Sequence, residues 1–201
     1  MEGYYDYHPL ADLDRHLVLA GFLTDETRTV GYRLAALTGL PFTDLDRKIE
    51  HHAGQSVWDL ILNEGETVYR QFEHRQLRRA LDDTPPGILT LGDGALIDEA
   101  NLRTVVERAT LVVFDLDLSS CFFRYRSRYR SRDPSEAAPE GGPWHPIYPG
   151  PLLGLESIRP FYQQRRGGFD AAHVKIDVRG KNLSQSLDAA FEALPALKPA
   201  V

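Results

Sequence analysis

Cysteine is nearly absent. Cys121 is the single thiol in 201 residues, so no disulfide can form within the chain, and a reducing cytoplasm is the expected setting. Long apolar runs are missing too: nothing approaches the roughly 18 residues of a membrane span, and mean hydropathy is −0.34. Cationic charge is in deficit, with 23 Lys and Arg against 29 Asp and Glu and a formal net charge of −6, which argues against a nucleic-acid or anionic-membrane partner. The opening MEGYYDYHPLADLDRH lacks the cationic start and apolar core of a signal peptide, so no export is expected. No internal repeat is visible. Hydrophobic residues at 42% and charged ones at 26% exclude collagen-like, coiled-coil and globally disordered classes. The length suits one domain with a sizeable core.

What is present is an alternation of strand and helix signals. His16 to Gly21 (HLVLAG) reads as a short buried strand, Thr29 to Leu37 as a helix, and the TGLPF break leads into a second strand ending at Asp44. Ser56 to Glu64 and Glu66 to Leu81 read as helices stopped by Pro85-Pro86-Gly87, with a third strand in GILTLG. Asn101 to Arg108 can be helical, Thr110 to Leu116 is a fourth buried strand, and Val174 to Val178 a weaker fifth. The expected fold is α/β: a three-layer α/β/α arrangement around a five-stranded parallel sheet, with ligand loops at the strands' C-terminal ends, where Gly21, Asp44, Gly92 and Asp117 fall. Residues 1–15 are expected to be an extension and 16–201 a single domain, with a mobile lid or insertion at about 124–154. That stretch begins with Arg124, Arg126, Arg128, Arg130 and Arg132 at every second position and continues into a run rich in Pro and Gly. The arginines read either as a solvated helix end or as an anion-binding lid.

The order of these pieces resembles the shikimate kinase family from about His16 to Leu194. The matching segments are LAGF at 19–22, GLPFTDLDRKIE at 39–50, AGQSVWDLILNEGETVYRQFE at 53–73, LGDGALIDEANLR at 91–103 and RPFY at 159–162. The resemblance implies a P-loop fold of the nucleoside-monophosphate-kinase type and transfer of the ATP γ-phosphate, with magnesium, to the 3-hydroxyl of shikimate. It also implies roles by position. Asp46 would bind substrate hydroxyls and accept the proton, Arg70 would hold the substrate carboxylate, Arg159 would be the second carboxylate arginine, and Gly92, Asp93 and Gly94 would stand where the family has three glycines beside the substrate. Two guanidinium forks around a carboxylate, with a carboxylate facing vicinal hydroxyls, suit that chemistry.

The nucleotide loop departs from the family pattern G-x-x-G-x-G-K-[ST]-T. Here it runs Gly21, Phe22, Leu23, Thr24, Asp25, Glu26, Thr27, Arg28, Thr29. Thr24 and Glu26 replace glycines of the phosphate cradle, Thr27 replaces the lysine, and Arg28 replaces the hydroxyl that holds magnesium. Asp25 and Glu26 would oppose ATP, since like charges about 4 Å apart cost roughly 4 kcal/mol at an effective dielectric near 20. Arg28 swinging inward in place of the lysine is the conceivable rescue. Asp44 matches an aspartate near magnesium, or else caps a helix. Asp93 would oppose a phosphoryl group or a substrate carboxylate. Arg130 or Arg132 would inherit the family's lid arginine.

Other candidates have plainer readings. Glu50-His51-His52 lacks metal-ligand spacing, Trp58 with Ile61 and Leu62 reads as core, and Cys121 as a small buried hydrophobe. Tyr4, Tyr5, Tyr7, Trp144 and Tyr148 suit either a protein interface or packing on their own domain. The expected function is a pseudoenzyme of shikimate-kinase type. It has lost normal ATP binding, needs no cofactor, and keeps a pocket for shikimate or a similar cyclic hydroxy-acid as a sensor, regulator or partner subunit. The alternatives are an active kinase using Mg-ATP through an atypical loop, and an interaction protein or homodimer with an empty cleft.

Overall fold

Five short apolar runs pair into one parallel sheet in the computed structural model, which describes residues 13–22, 26–130 (without the side chains of 125–130) and 154–194. They are β1 (Leu17–Ala20), β2 (Phe42–Asp44), β3 (Ile88–Thr90), β4 (Thr110–Asp115) and β5 (Val174–Asp177), in the order β2-β3-β1-β4-β5. In register, Leu17 lies opposite Ile88 and Thr110, and Val112 opposite Val174. The central strands β1, β3 and β4 are buried almost throughout, as expected for strands covered on both faces. Each boundary lies within two residues of its sequence expectation.

The helices are α1 (Glu26–Thr38), α2 (Leu45–Ala53), α3 (Val57–Glu64), α4 (Glu66–Asp82), α5 (Glu99–Arg108), α6 (Leu118–Arg130), α7 (Leu155–Asp170) and α8 (Leu183–Ala193), with a 3-10 turn at Ala95–Ile97. Their starts are written in the sequence. Asp44 accepts from the amides of Asp46 and Arg47, Ser56 from Asp59, Asp98 from Asn101, and Asn182 forms a reciprocal capping box with Gln185. Chain order moves from β1 past β3 to β2, then back from β3 past β1 to β4. Right-handed crossovers therefore place α1 and α5 on opposite faces, and the crevice opens at the strands' C-terminal ends where the direction reverses. α1 and α8 pack together on one face, while α4 and α5 pack together on the other.

Two expectations about packing change. Ile61 is buried as expected, but Leu62 is 51% exposed and Trp58 only half-buried, because α3 turns Leu60 inward beside Ile61. The arginine run continues α6 as far as Arg130; Arg132 and the rest of the expected lid to residue 153 lie outside the described residues. Among the described residues no helix is long and apolar enough to cross a membrane.

Candidate functional site

Asp44 ends β2 and Asp46 enters the first turn of α2, so the strand delivers both carboxylates to the crevice. Behind them stands Tyr69 of α4, whose hydroxyl lies 3.1 Å from Asp46 Oδ1 and 3.2 Å from Glu73 Oε1. A phenol carries one proton, so it donates to one of these carboxylates, and a proton taken up by the other completes the second bond. Burial of the Asp46 carboxyl, with Asp44 and Glu50 nearby, pushes it up to about 6. Burial pushes Glu73 up to about 7 against the pull of Arg70. The two flank one hydroxyl and titrate as a pair, which takes its first proton near neutrality.

Glycine at two positions makes this arrangement possible. A Cβ on Gly92 would lie 2.6 Å from Asp46 Oδ1 and 2.8 Å from the Tyr69 hydroxyl. Gly94, at φ +96°, would place its Cβ 2.9 Å from Arg70 Nη2 and 3.1 Å from Arg165 Nη2, so the two guanidiniums converge over it. Gly94, Arg70 and Arg165 line a cavity of about 330 Å³ with Glu66, Glu73 and Asp98. Arg70 Nη1 reaches both oxygens of Glu73 at 3.0 and 2.9 Å, and its Nε and Nη2 both donate to Glu66 Oε1 at 3.1 Å.

Arg165 is the guanidinium that α7 sends into this cavity. It is buried, donates from Nε to Asp93 Oδ1 at 2.8 Å and from Nη1 to the Phe161 carbonyl at 2.9 Å, and lies 5.0 Å from the Phe22 ring centroid. Arg159 instead sits exposed on α7, paired with Glu156. The difference is one of helix phase: Ile158, Arg165, Gly168 and Phe169 share the buried face, and Arg159 falls one residue off it. Asp93, expected to repel a nearby anion, has its charge met by Arg165.

On the neighbouring side, Gly21 follows β1; Leu23, Thr24 and Asp25 lie outside the described residues. Thr27 is buried at the start of α1, and Thr29 is half-buried. Glu26 pairs with Arg124 of α6, which also donates to the carbonyls of Val178 and Lys181. Glu26, expected to oppose ATP, therefore has its charge met by Arg124. Arg28 Nε stands 2.6 Å from Asp44 Oδ2 as an ion pair that does not meet hydrogen-bond geometry, so Asp44 serves at once as helix cap and as partner of Arg28. A second, more open cavity of about 590 Å³ is lined by Arg28, Tyr32, Phe42, Asp44 and Arg47.

Sequence reasoning passed over Tyr69, Glu73 and Arg165. Glu73 stands at helical spacing from both Tyr69 and Arg70, four and three residues on, which is the signal in the sequence; Arg165 needed the phase of α7. His51 and His52 are exposed, and no cluster of three or more metal-binding side chains occurs among the described residues. Cys121 is buried, with its thiol pushed up to about 12 by burial.

The shikimate kinase family profile matches residues 28–139. Shikimate kinase of Salinibacter ruber is 43% identical over 96 residues, 48% of this chain and 46% of that protein. Shikimate kinase of Symbiobacterium thermophilum is 30% identical over 180 residues, 89% of this chain and 95% of that one. The solved structure of shikimate kinase from Acinetobacter baumannii in complex with shikimate superposes with a TM-score of 0.70 at 23% identity, covering 91% of this chain and 92% of that one.

Proposed function

The chain belongs to the shikimate kinase family, and from that premise we propose that it is a cytoplasmic member that keeps a pocket for a shikimate-type ring but has given up ordinary Mg-ATP binding. It acts as a ligand sensor, regulator or partner subunit. The observation that carries this reading is the contact of Arg28 Nε with Asp44 Oδ2 at 2.6 Å. Magnesium is held by oxygen lone pairs in near-octahedral geometry, and a guanidinium offers none. A divalent cation at Asp44 would have to displace or repel Arg28, at a cost of several kcal/mol for cations about 4 Å apart. The residues present therefore do not fit the metal. The ring side supports the other half of the reading: Asp46, Glu73 and Glu66 offer acceptors to hydroxyls, and Arg70 and Arg165 converge on one point.

Calorimetric titration of the full chain tests this. Shikimate is expected to give saturable heat at millimolar concentration or below, lost in Arg70→Ala, while Mg-ATP up to several millimolar gives none. Saturable Mg-ATP binding with transfer to shikimate overturns the reading in favour of an active kinase. Silence from shikimate and from neutral analogues of its ring overturns it in favour of an interaction protein.

A further inference from the structure

The 330 Å³ cavity is more acidic than a site for an anion should be. Carboxylates of Glu66, Glu73 and Asp98 line it against the guanidiniums of Arg70 and Arg165. Each guanidinium is already engaged by carboxylate. All three nitrogens of Arg70 donate to Glu66 or Glu73, and Arg165, with 2% of its side chain exposed, is bound by Asp93 at 2.8 Å. Asp93 itself is 14% exposed and is held at the tight passage between Gly92 and Gly94. We propose that Asp93 occupies, on Arg165, the place that a ligand carboxylate would take, so that the cavity selects a polyhydroxylated ring that carries no carboxylate.

The inference rests on the reading of this cavity as a ring pocket and specifies its substrate class. The physics has two parts. A ligand carboxylate entering here meets a wall whose cations are neutralised, and it must compete with a built-in carboxylate tethered next to Arg165. Ring hydroxyls, in contrast, are donors, and the wall offers them carboxylate oxygens, the stronger class of acceptor. Selectivity thus follows from a charge that the protein carries itself, rather than from the shape of the cavity.

The probes are shikimate and its carboxamide, which differ in charge and hardly in size, titrated calorimetrically into the full chain and into D93N. The wild-type chain is expected to bind the carboxamide at least tenfold more tightly than shikimate. In D93N the carboxylate bound to Arg165 Nε is replaced by a neutral amide, which removes the built-in anionic competitor. Shikimate affinity is then expected to rise at least tenfold, while carboxamide affinity changes less than threefold. D93G serves as the second variant should the amide fail to fold, with the rise in melting temperature on adding shikimate as an independent readout. A wild-type preference for shikimate overturns the inference and leaves the ring pocket standing, as does a D93N ratio equal to that of the wild type. Failure of both compounds to bind either protein overturns the ring pocket and the inference together.

Discussion

Replacing Asp46 by Asn should make the protein more stable at neutral pH, and the gain should depend on pH in a way that the structure fixes. The Asp46 carboxyl rises from 3.8 to about 6 on folding. A carboxyl whose folded pKa lies above its unfolded value contributes its full stability below about pH 3.8. It loses that contribution as the pH rises through about 6. The shift of about two units corresponds to a destabilisation of about 3 kcal/mol above pH 7, of which about half is recovered at pH 5. Asparagine keeps an acceptor for the Tyr69 hydroxyl and carries no charge. Chemical unfolding of both proteins at pH 5, 6 and 7.5, followed by circular dichroism, is the assay. The variant is expected to lead by about 3 kcal/mol at pH 7.5, equivalent to about 6–12 °C in melting temperature for a chain of this size, and by about half as much at pH 5. A difference that stays constant across this range, or a variant less stable at pH 7.5, refutes the reasoning. Coupling to Glu73 tilts the slope without reversing its sign, since that carboxyl is also raised by burial.

Three further outcomes follow from the geometry. Gly92→Ala places a Cβ against Asp46 and Tyr69 and should cost about 1–3 kcal/mol in unfolding experiments, weakening ring binding in parallel. Arg165→Ala removes a buried guanidinium together with its ion pair to Asp93 and should cost about 3 kcal/mol or more, whereas Arg159→Ala should leave both melting temperature and ligand affinity where they were. Cys121 should react with a thiol reagent only as fast as the protein unfolds, because the group is buried and held protonated; rapid labelling of the native protein would contradict its placement.

The parts of the fold that were legible are those governed by local rules. The apolar runs around Val18, Leu89 and Val112 declare strands buried on both faces, and Asp44, Ser56 and Asp98 declare helix starts by their side-chain chemistry. Asp46, Arg70 and the Gly92–Gly94 turn are brought together because each follows directly from such an element. Arg165 escaped because its role depends on the rotation of α7 about its own axis, which a four-residue segment at 159–162 does not define. Glu26 and Asp93 were legible as charges but not as pairs. Their partners, Arg124 and Arg165, lie 98 and 72 residues away, and no periodicity reports a contact of that span.

Those partners bear on how the site could have changed. At Asp44, Glu26 and Arg165 alike, the chain supplies the counter-charge internally: Arg28, Arg124 and Asp93 respectively. A single reversal therefore creates a new imbalance. Glycine at 93 leaves Arg165 without Asp93, and a hydroxyl at 28 leaves Asp44 without Arg28, each destabilising by the loss of one member of a partly buried pair. On the proposed reading, refitting the loop at 24–28 to the family pattern reaches the Glu26 and Arg28 pairs and leaves the pair of Asp93 with Arg165 in place. Nucleotide binding should thus return with the loop and tighter binding of an anionic ring with Asp93, both gains together only when both are changed, and the two should be separable by titrating each ligand alone.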